Sequence, residues 1–213
     1  MAGTTKKSAP GDQACPGQAG VQWGGDERRF AVEGFTSAGL VLPWVTALIL
    51  TFWPRRQDRL SPLIAMLGAM ATALCVSAGL DSRAASGAMT QLAMPAGSWI
   101  LDGLSAMFGL LTAWVHLGVT IFAWRYLPPA QAAARSTRRE ASLYAFLQVF
   151  AGSMLAMVSS GGLIQLYFFW ELTGLASFLL IGYWHQRPEA RDGAMTSLVM
   201  TTAGGLAMLL GFL

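Results

Sequence analysis

Leu163-Ile-Gln-Leu-Tyr-Phe-Phe-Trp-Glu-Leu-Thr-Gly-Leu-Ala-Ser-Phe-Leu-Leu-Ile-Gly-Tyr-Trp184 is the stretch that decides how this chain is read. Its 22 residues exceed the roughly 20 apolar residues that carry a helix across a bilayer core. They contain one formal charge, Glu171. At 1.5 Å per residue that acid lies about 4 Å from the middle of the run. A carboxylate at such a depth costs roughly 2.5–3.5 kcal/mol on insertion scales. Helix formation does not require it. An ionisable residue that lowers stability and adds nothing to the fold is read first as functional, here as a group that binds a proton. The competing reading is an acid that ties helices together through a hydrogen bond or ion pair.

The rest of the chain has the same character. Of its 213 residues, 54% are hydrophobic and 12% charged, about half the charge of an ordinary soluble domain. The charges fall in an N-terminal stretch and in short clusters between long apolar runs, which predicts an all-α, polytopic membrane bundle of six helices. The spans are expected at about 38–53, 61–80, 104–126, 142–159, 163–184 and 193–213. Residues 1–34, rich in Gly, Ser, Thr, Gln and charge, read as a disordered polar extension. They do not form a secretory signal, because Pro10, Gly11 and Asp12 follow Lys6 and Lys7 where an apolar core would stand.

Local signals sharpen these boundaries. Ser61-Pro62 places a capping hydroxyl before a proline at the first helical position. Asp102-Gly-Leu-Ser105 reads as another helix start, and Gly161-Gly162 as a tight reversal between the fourth and fifth spans. Pro43 interrupts the first span, as a kink or near a helix start. Orientation follows the loop arginines. Linkers one, three and five hold Arg55, Arg56, Arg59, Arg125, Arg135, Arg138, Arg139, Arg187 and Arg191, against Arg83 alone on the other side. That asymmetry predicts a cell (inner) membrane protein with both termini outside, although the tail adds Lys6, Lys7, Arg28 and Arg29 there.

Around Glu171, positions three and four away share its helical face: Tyr167, Phe168, Gly174 and Leu175. Tyr167 is placed to donate to the carboxylate, and Gly174 leaves room for water or a neighbouring helix. Thr173 and Ser177 form a small polar stripe suited to close helix contact. Tyr183 and Trp184 suit the interfacial aromatic belt. His116 lies within the third span, as a proton relay or as a hydrogen-bonded packing residue. His185 lies at the cytoplasmic end of the fifth, passing protons onward or complementing the helix dipole. Gly204 and Gly205 read as close-packing positions.

Several functions are excluded by what is missing from the sequence. Cys15 and Cys75 have no partner at ligand or redox spacing, so no metal, cofactor or disulfide is expected. There is no dinucleotide or phosphate-binding glycine run, no zinc-protease motif and no serine nucleophile elbow. No basic stripe for nucleic acid is present.

The stretch Phe169–His185 also resembles the signature of the A-type subunit of Mrp cation/proton antiporters, relatives of the antiporter-like membrane subunits of respiratory complex I. The likeness extends through Leu101–Ser105, Trp124–Leu127, Phe150–Met154, Arg191–Ala194 and Gly204–Phe212, over about residues 38–213. It implies an acid at Glu171 that takes part in a proton pathway, within a hetero-oligomeric complex embedded in lipid and moving protons and monovalent cations such as Na+. It also implies a lysine partner on a later, broken helix. The only lysines here are Lys6 and Lys7. Ser160-Gly161-Gly162 stands where the family often carries an Asp-Asn pair. The sixth span reaches Leu213 without a polar flank, so the expectation is an incomplete antiporter-like fold. Two other roles fit the same residues: a proton-pumping subunit of a complex I or membrane-bound hydrogenase type assembly, and a non-transporting remnant or scaffold. The first reading makes the chain a secondary transporter subunit rather than an enzyme, unless it works within an NADH-quinone oxidoreductase type complex.

Overall fold

The computed structural model describes residues 23–52, 60–84, 90–92, 97–126 and 138–213. It contains six long helices: α1 (Trp23–Phe52), α2 (Ser61–Ala84), α3 (Gly103–Tyr126), α4 (Arg138–Val158), α5 (Leu163–Ile181) and α6 (Pro188–Phe212). All six contain a segment long and apolar enough to cross a membrane. The chain is a multi-pass membrane protein of all-α type. Residues 1–22, and the loops holding Arg55, Arg56, Arg59 and Arg135, lie outside the described residues.

Most helix ends fall near the expected positions. The largest difference is α1, which begins at Trp23 instead of about 38. No proline occurs between Trp23 and Pro43, so nothing breaks the ladder upstream of the apolar run. The apolar segment itself is Gly34–Phe52. The fifth span divides into α5 and a 3-10 turn, Gly182–Trp184. In α6, Pro188 starts the helix and Glu189 sits in its first turn, where a fixed φ and a negative charge both favour nucleation.

An antiparallel ribbon was not expected. Between α2 and α3, β1 (Thr90–Leu92) pairs with β2 (Trp99–Leu101), with Gln91 opposite Ile100. The ribbon docks on the turn joining α4 to α5: Ile100 N–H donates to Ser159 O at 3.0 Å, and Gly161 N–H to Ser98 O at 2.8 Å. A Cβ on Gly161 would stand 2.9 Å from Ser98 O and from Ile100 Cγ1. Close approach of the ribbon is therefore what requires glycine at the reversal; the left-handed φ among the described glycines is at Gly97, +142°. Next to the ribbon, Ser105 N–H donates to Asp102 Oδ1 at 2.7 Å and caps α3. That bond holds the Asp102 carboxyl below its ordinary value.

Packing centres on α4, which lies against α1, α2, α3 and α5. Half of its apolar window is buried, compared with 11% for the Leu163–Trp184 span and 6% for α6. Small residues account for this: Ala141, Ala145, Ala151, Gly152, Ser153 and Ala156 are buried and let neighbours approach from several sides. Ala65, Ala69 and Ala73 make a similar stripe on α2, packing with Ala145, Ala113 and Leu117. Gly68 and Gly79 lie so close to Thr46 and Thr36 of α1 that a methyl group would collide with each threonine. Hydroxyls inside the bundle bond to their own helix: Thr46 to Leu42 O, Thr72 to Gly68 O, and Ser153 to Val149 O. With no water in the hydrocarbon layer, such internal satisfaction is what makes them tolerable. The α1–α4 bundle is the better-buried part; α5 packs on α4, and α6 packs on α5 and the turn that follows it, so the pair is loosely covered.

Candidate functional site

Glu171 faces the seam between α5 and α6. Its Oε1 is shielded from solvent and has no hydrogen-bond partner among the described residues. The carboxylate rests on the backbone of Gly205 in α6, where an added Cβ would collide with Oε1 and come 3.1 Å from Cδ. Tyr167, one turn earlier, is within interaction range of the carboxylate, and its ring passes 3.6 Å from that same Cβ position. One turn later, Gly174 meets Thr201 of α6; a Cβ there would be 2.8 Å from Thr201 Cγ2. Two glycines, one on each helix, thus bring the backbones together directly beside the acid.

Beside this crossing is a cavity of about 310 Å³, lined by Phe168, Glu171, Gly174, Leu198, Thr201 and Thr202. Its walls are mainly apolar, with the carboxylate and two threonines as the polar groups. Thr201 Oγ1 donates to Ser197 O at 2.8 Å, which leaves its lone pairs toward other donors. Chemically, the arrangement offers an acceptor in a low-dielectric cleft open at one side.

The other sequence-predicted residues fall elsewhere. His116 is buried in the four-helix bundle, its Nε2 3.1 Å from Gln148 Oε1. Gln148, itself fully buried, donates its Nε2 to Ala65 O at 2.9 Å. An amide oxygen only accepts, so His116 Nε2 carries the hydrogen in this arrangement. The three groups clasp α2, α3 and α4 together, and His116 does not line the Glu171 cavity. His185 is exposed just beyond the 3-10 turn, about 21 Å along the chain from Glu171 at helical rise. Tyr183, expected in the interfacial belt, is instead buried against the bundle, and Trp184 stacks under the Arg187 guanidinium at 5.7 Å. Thr173 Oγ1 turns back to Trp170 O at 2.7 Å; the buried positions of α5 are Gly174 and Ala176.

Sequence reasoning identifies Glu171, Tyr167 and Gly174. It misses the part played by α6: Gly205 as the floor of the site and Thr201 as its neighbour. Of the adjacent Gly204-Gly205 pair, expected to pack closely, only Gly205 does so, since nothing lies within 4 Å of a Cβ at Gly204. Gln148 is also missed; a lone amide in an apolar run was the available signal.

The chain is similar to known proteins in sequence and in fold. Residues 160–213 match the family model described as NADH:quinone oxidoreductase/Mrp antiporter, TM. A Rhizobium meliloti protein named as a probable K(+)/H(+) antiporter A/B subunit is 34% identical over 200 residues, covering 89% of this chain and 19% of the relative. A Staphylococcus epidermidis protein named as antiporter subunit mnhA2 is 42% identical over 113 residues, 53% of this chain and 13% of the relative. The chain therefore spans less than a fifth of the length of these two relatives. Among solved structures, a chain of the membrane-bound sulfane sulfur reductase, an archaeal respiratory membrane complex, aligns with a TM-score of 0.71 at 16% identity, over 83% of this chain and 36% of that one. That likeness speaks to the fold. The sequence matches make the chain similar, over the residues they cover, to antiporter-like membrane subunits of the Mrp/complex I type.

Proposed function

We propose that the chain forms part of a proton-translocating subunit of a monovalent cation/proton antiporter complex, with Glu171 as the intramembrane group that takes up and releases the proton. One observation carries the reading: the Glu171 carboxylate has a shielded oxygen without a hydrogen-bond partner among the described residues, facing a cleft in a membrane helix pair. An acid present for structure would have that oxygen bonded, as buried polar groups generally do. Tyr167 orients the carboxylate. His185 serves as the proton-exchanging group at the far end of the helix. His116 is assigned to the clasp with Gln148. The relatives' names favour antiport over redox-driven pumping; the remaining partners are other membrane subunits and lipid, in the cell membrane with both termini outside.

The test uses the complete complex in sealed vesicles. Glu171→Gln keeps the volume and removes the proton-binding group, so proton-coupled flux of Na+ and K+ falls to background while assembly persists. Wild-type flux in that variant would sink the assignment. Flux that appears only when quinone or another electron carrier is supplied would favour the respiratory-complex reading.

A further inference from the structure

α5 and α6 are in close contact over the half of the pair away from the ribbon. A Cβ on Gly182 would stand 3.4 Å from Ala194, one on Gly193 3.9 Å from Ile181, and one on Gly174 2.8 Å from Thr201. The last such approach is Gly205 against Glu171; beyond it, toward the ribbon, a Cβ on Gly211 meets nothing within 4 Å. The helices part there. They leave a groove of about 810 Å³, lined by Gln165 and Phe168 of α5, Phe212 of α6, and Gly97, Ser98 and Trp99 from the ribbon end. The pair is thus a wedge, joined along one half and open along the other.

The chemistry of the opening is selective. Its flanks are apolar and exposed at Leu163, Ile164 and Phe168, and none of the described residues lining it is charged. Two residues that line it carry shielded N–H donors without a hydrogen-bond partner among the described residues, Trp99 Nε1 and Gln165 Nε2. Buried donors are ordinarily paired. The Trp99 ring is fixed by burial and by Phe169, 5.6 Å away. Gln165 is only part-buried, and the torsion of its terminal amide is soft. Its Oε1 packs against Gly97, and turning the amide off that wall presents Nε2 to the groove. The acceptor that fits is neutral, because a phosphate or carboxylate brought into an apolar groove without a cation loses its hydration uncompensated. Depth narrows the choice further. Gln165 is the third residue of α5, about 3 Å in from the helix start at helical rise, in the layer where lipid tails meet their polar heads.

We infer that this groove is a lipid site: one acyl chain of a diacyl ester lipid lies between the parted ends of α5 and α6 against Phe168 and Phe212, and its ester carbonyl accepts from Gln165 Nε2. The space suits one chain with its ester, since pockets of roughly 300–1,000 Å³ hold ligands of that order of size. A seated chain covers the helix pair where the protein covers it least, the Leu163–Trp184 span and α6 being 11% and 6% buried. It also holds the two helices apart at the ribbon end. The site is a matter of packing and stands independently of the transport reading.

Photolabelling of the complete complex in phosphatidylethanolamine/phosphatidylglycerol vesicles tests the site. The probe is a phosphatidylethanolamine with a diazirine in one chain, used in an ester-linked form and in a matched ether-linked form that lacks the carbonyls. Mapped by peptide mass spectrometry, the ester probe should label residues 163–169 and Phe212 at least about threefold more than Leu104 and Met107, exposed apolar residues at the ribbon end of α3. The ether probe should lose that excess, falling by the roughly three- to tenfold that one hydrogen bond is worth, and label α3 as before. In Gln165→Leu, which keeps apolar bulk and removes the donor, the two probes should label the groove alike. The ester/ether comparison is made on the unsubstituted complex, so it stands even where that variant misfolds. A phosphatidylglycerol probe should label the groove as the phosphatidylethanolamine probe does. Equal labelling of α5 and α3, or equal labelling of the groove by the ester and ether probes, would overturn the proposal. So would a preference for phosphatidylglycerol, which would assign the contact to headgroup charge. A benzophenone side chain placed at Ile164 should give lipid adducts; an adduct with another segment of polypeptide would give the groove to protein and overturn the lipid assignment.

Discussion

The α1–α4 bundle and the α5–α6 pair deal with buried polar groups in opposite ways. In the bundle, His116, Gln148 and the Ala65 carbonyl satisfy one another across three helices. The space left at Thr36, Val76, Gly109 and Leu155 is about 20 Å³, enough for one water at most. In the pair, Glu171 has an unpaired oxygen beside a cavity of about 310 Å³. Both regions place polar atoms at membrane depth, where each costs stability if unsatisfied. The bundle uses them to lock helices, and the pair keeps one open to exchange. Polarity alone does not mark a membrane residue as functional; whether its hydrogen bonds are satisfied does.

If that distinction holds, the two regions fail in different ways when altered. The largest effect is expected at Gly205. Gly205→Ala drives a methyl into the space held by Glu171 Oε1 and displaces the carboxylate. Cation/proton flux should fall by an order of magnitude or more, because roughly 1 Å of misplacement at a reacting group costs about that much. Gly204→Ala, with nothing within 4 Å, is the matched control and should transport normally. Equal effects at the two glycines would mean that helix flexibility, and not contact with the acid, is what matters there.

Within the bundle, Gln148→Leu should do the reverse. It removes both bonds of the clasp and leaves His116 Nε2 and Ala65 O facing apolar surface. A loss of roughly 1–3 kcal/mol in unfolding free energy is expected, with flux per folded complex unchanged. Chemical denaturation in lipid micelles measures the first and vesicle flux the second. Loss of flux with intact stability would move His116 into the proton pathway and erase the contrast between the regions.

How much of this could be read from the sequence depends on the range of the interaction. The six helices were legible because apolar length is a property of one segment at a time. The Ser61-Pro62 and Asp102–Ser105 starts were legible for the same reason, being signals three or four residues long. The floor of the acid site was not. Gly205 lies 34 positions after Glu171, and only the crossing of α5 and α6 makes it, and not Gly204, the partner. The ribbon was missed because its strands are three residues each and gain their stability from docking on Ser159 and Gly161. The start of α1 is harder to read, because polarity ends only the part of a helix that lies in hydrocarbon, and α1 extends to Trp23, ahead of its apolar segment at Gly34–Phe52.

A smaller effect separates close-packed from open glycines in the bundle itself. Gly68→Ala pushes a methyl onto Thr46, and overpacking of that kind costs about 1–3 kcal/mol. Gly118→Ala on α3 meets nothing within 4 Å, so it should stabilise by about 0.5–1 kcal/mol through helix propensity alone. Denaturation midpoints of the two variants should therefore shift in opposite directions. Shifts of the same sign would show that α1 and α2 are not in the tight contact seen here.

The smallest effect is at the ribbon. Asp102 accepts from Ser105 N–H, and that bond lowers its carboxyl below the ordinary value of 3.8. A carboxyl depressed on folding stabilises the protein in its charged form. Its contribution is complete above the unfolded value and is lost as pH falls through the lower folded one. The melting temperature of the wild-type chain should thus exceed that of Asp102→Ala at neutral pH, and the gap should close on acidification below about pH 4. Because the cap sits outside the membrane and apart from Glu171, cation/proton flux at neutral pH should not change. A gap that stays constant with pH would mean that the Asp102 side chain stabilises α3 without its charge, and no gap at all would leave the cap to the backbone carbonyl, which the variant keeps and which bonds Ala106 N–H at 3.0 Å.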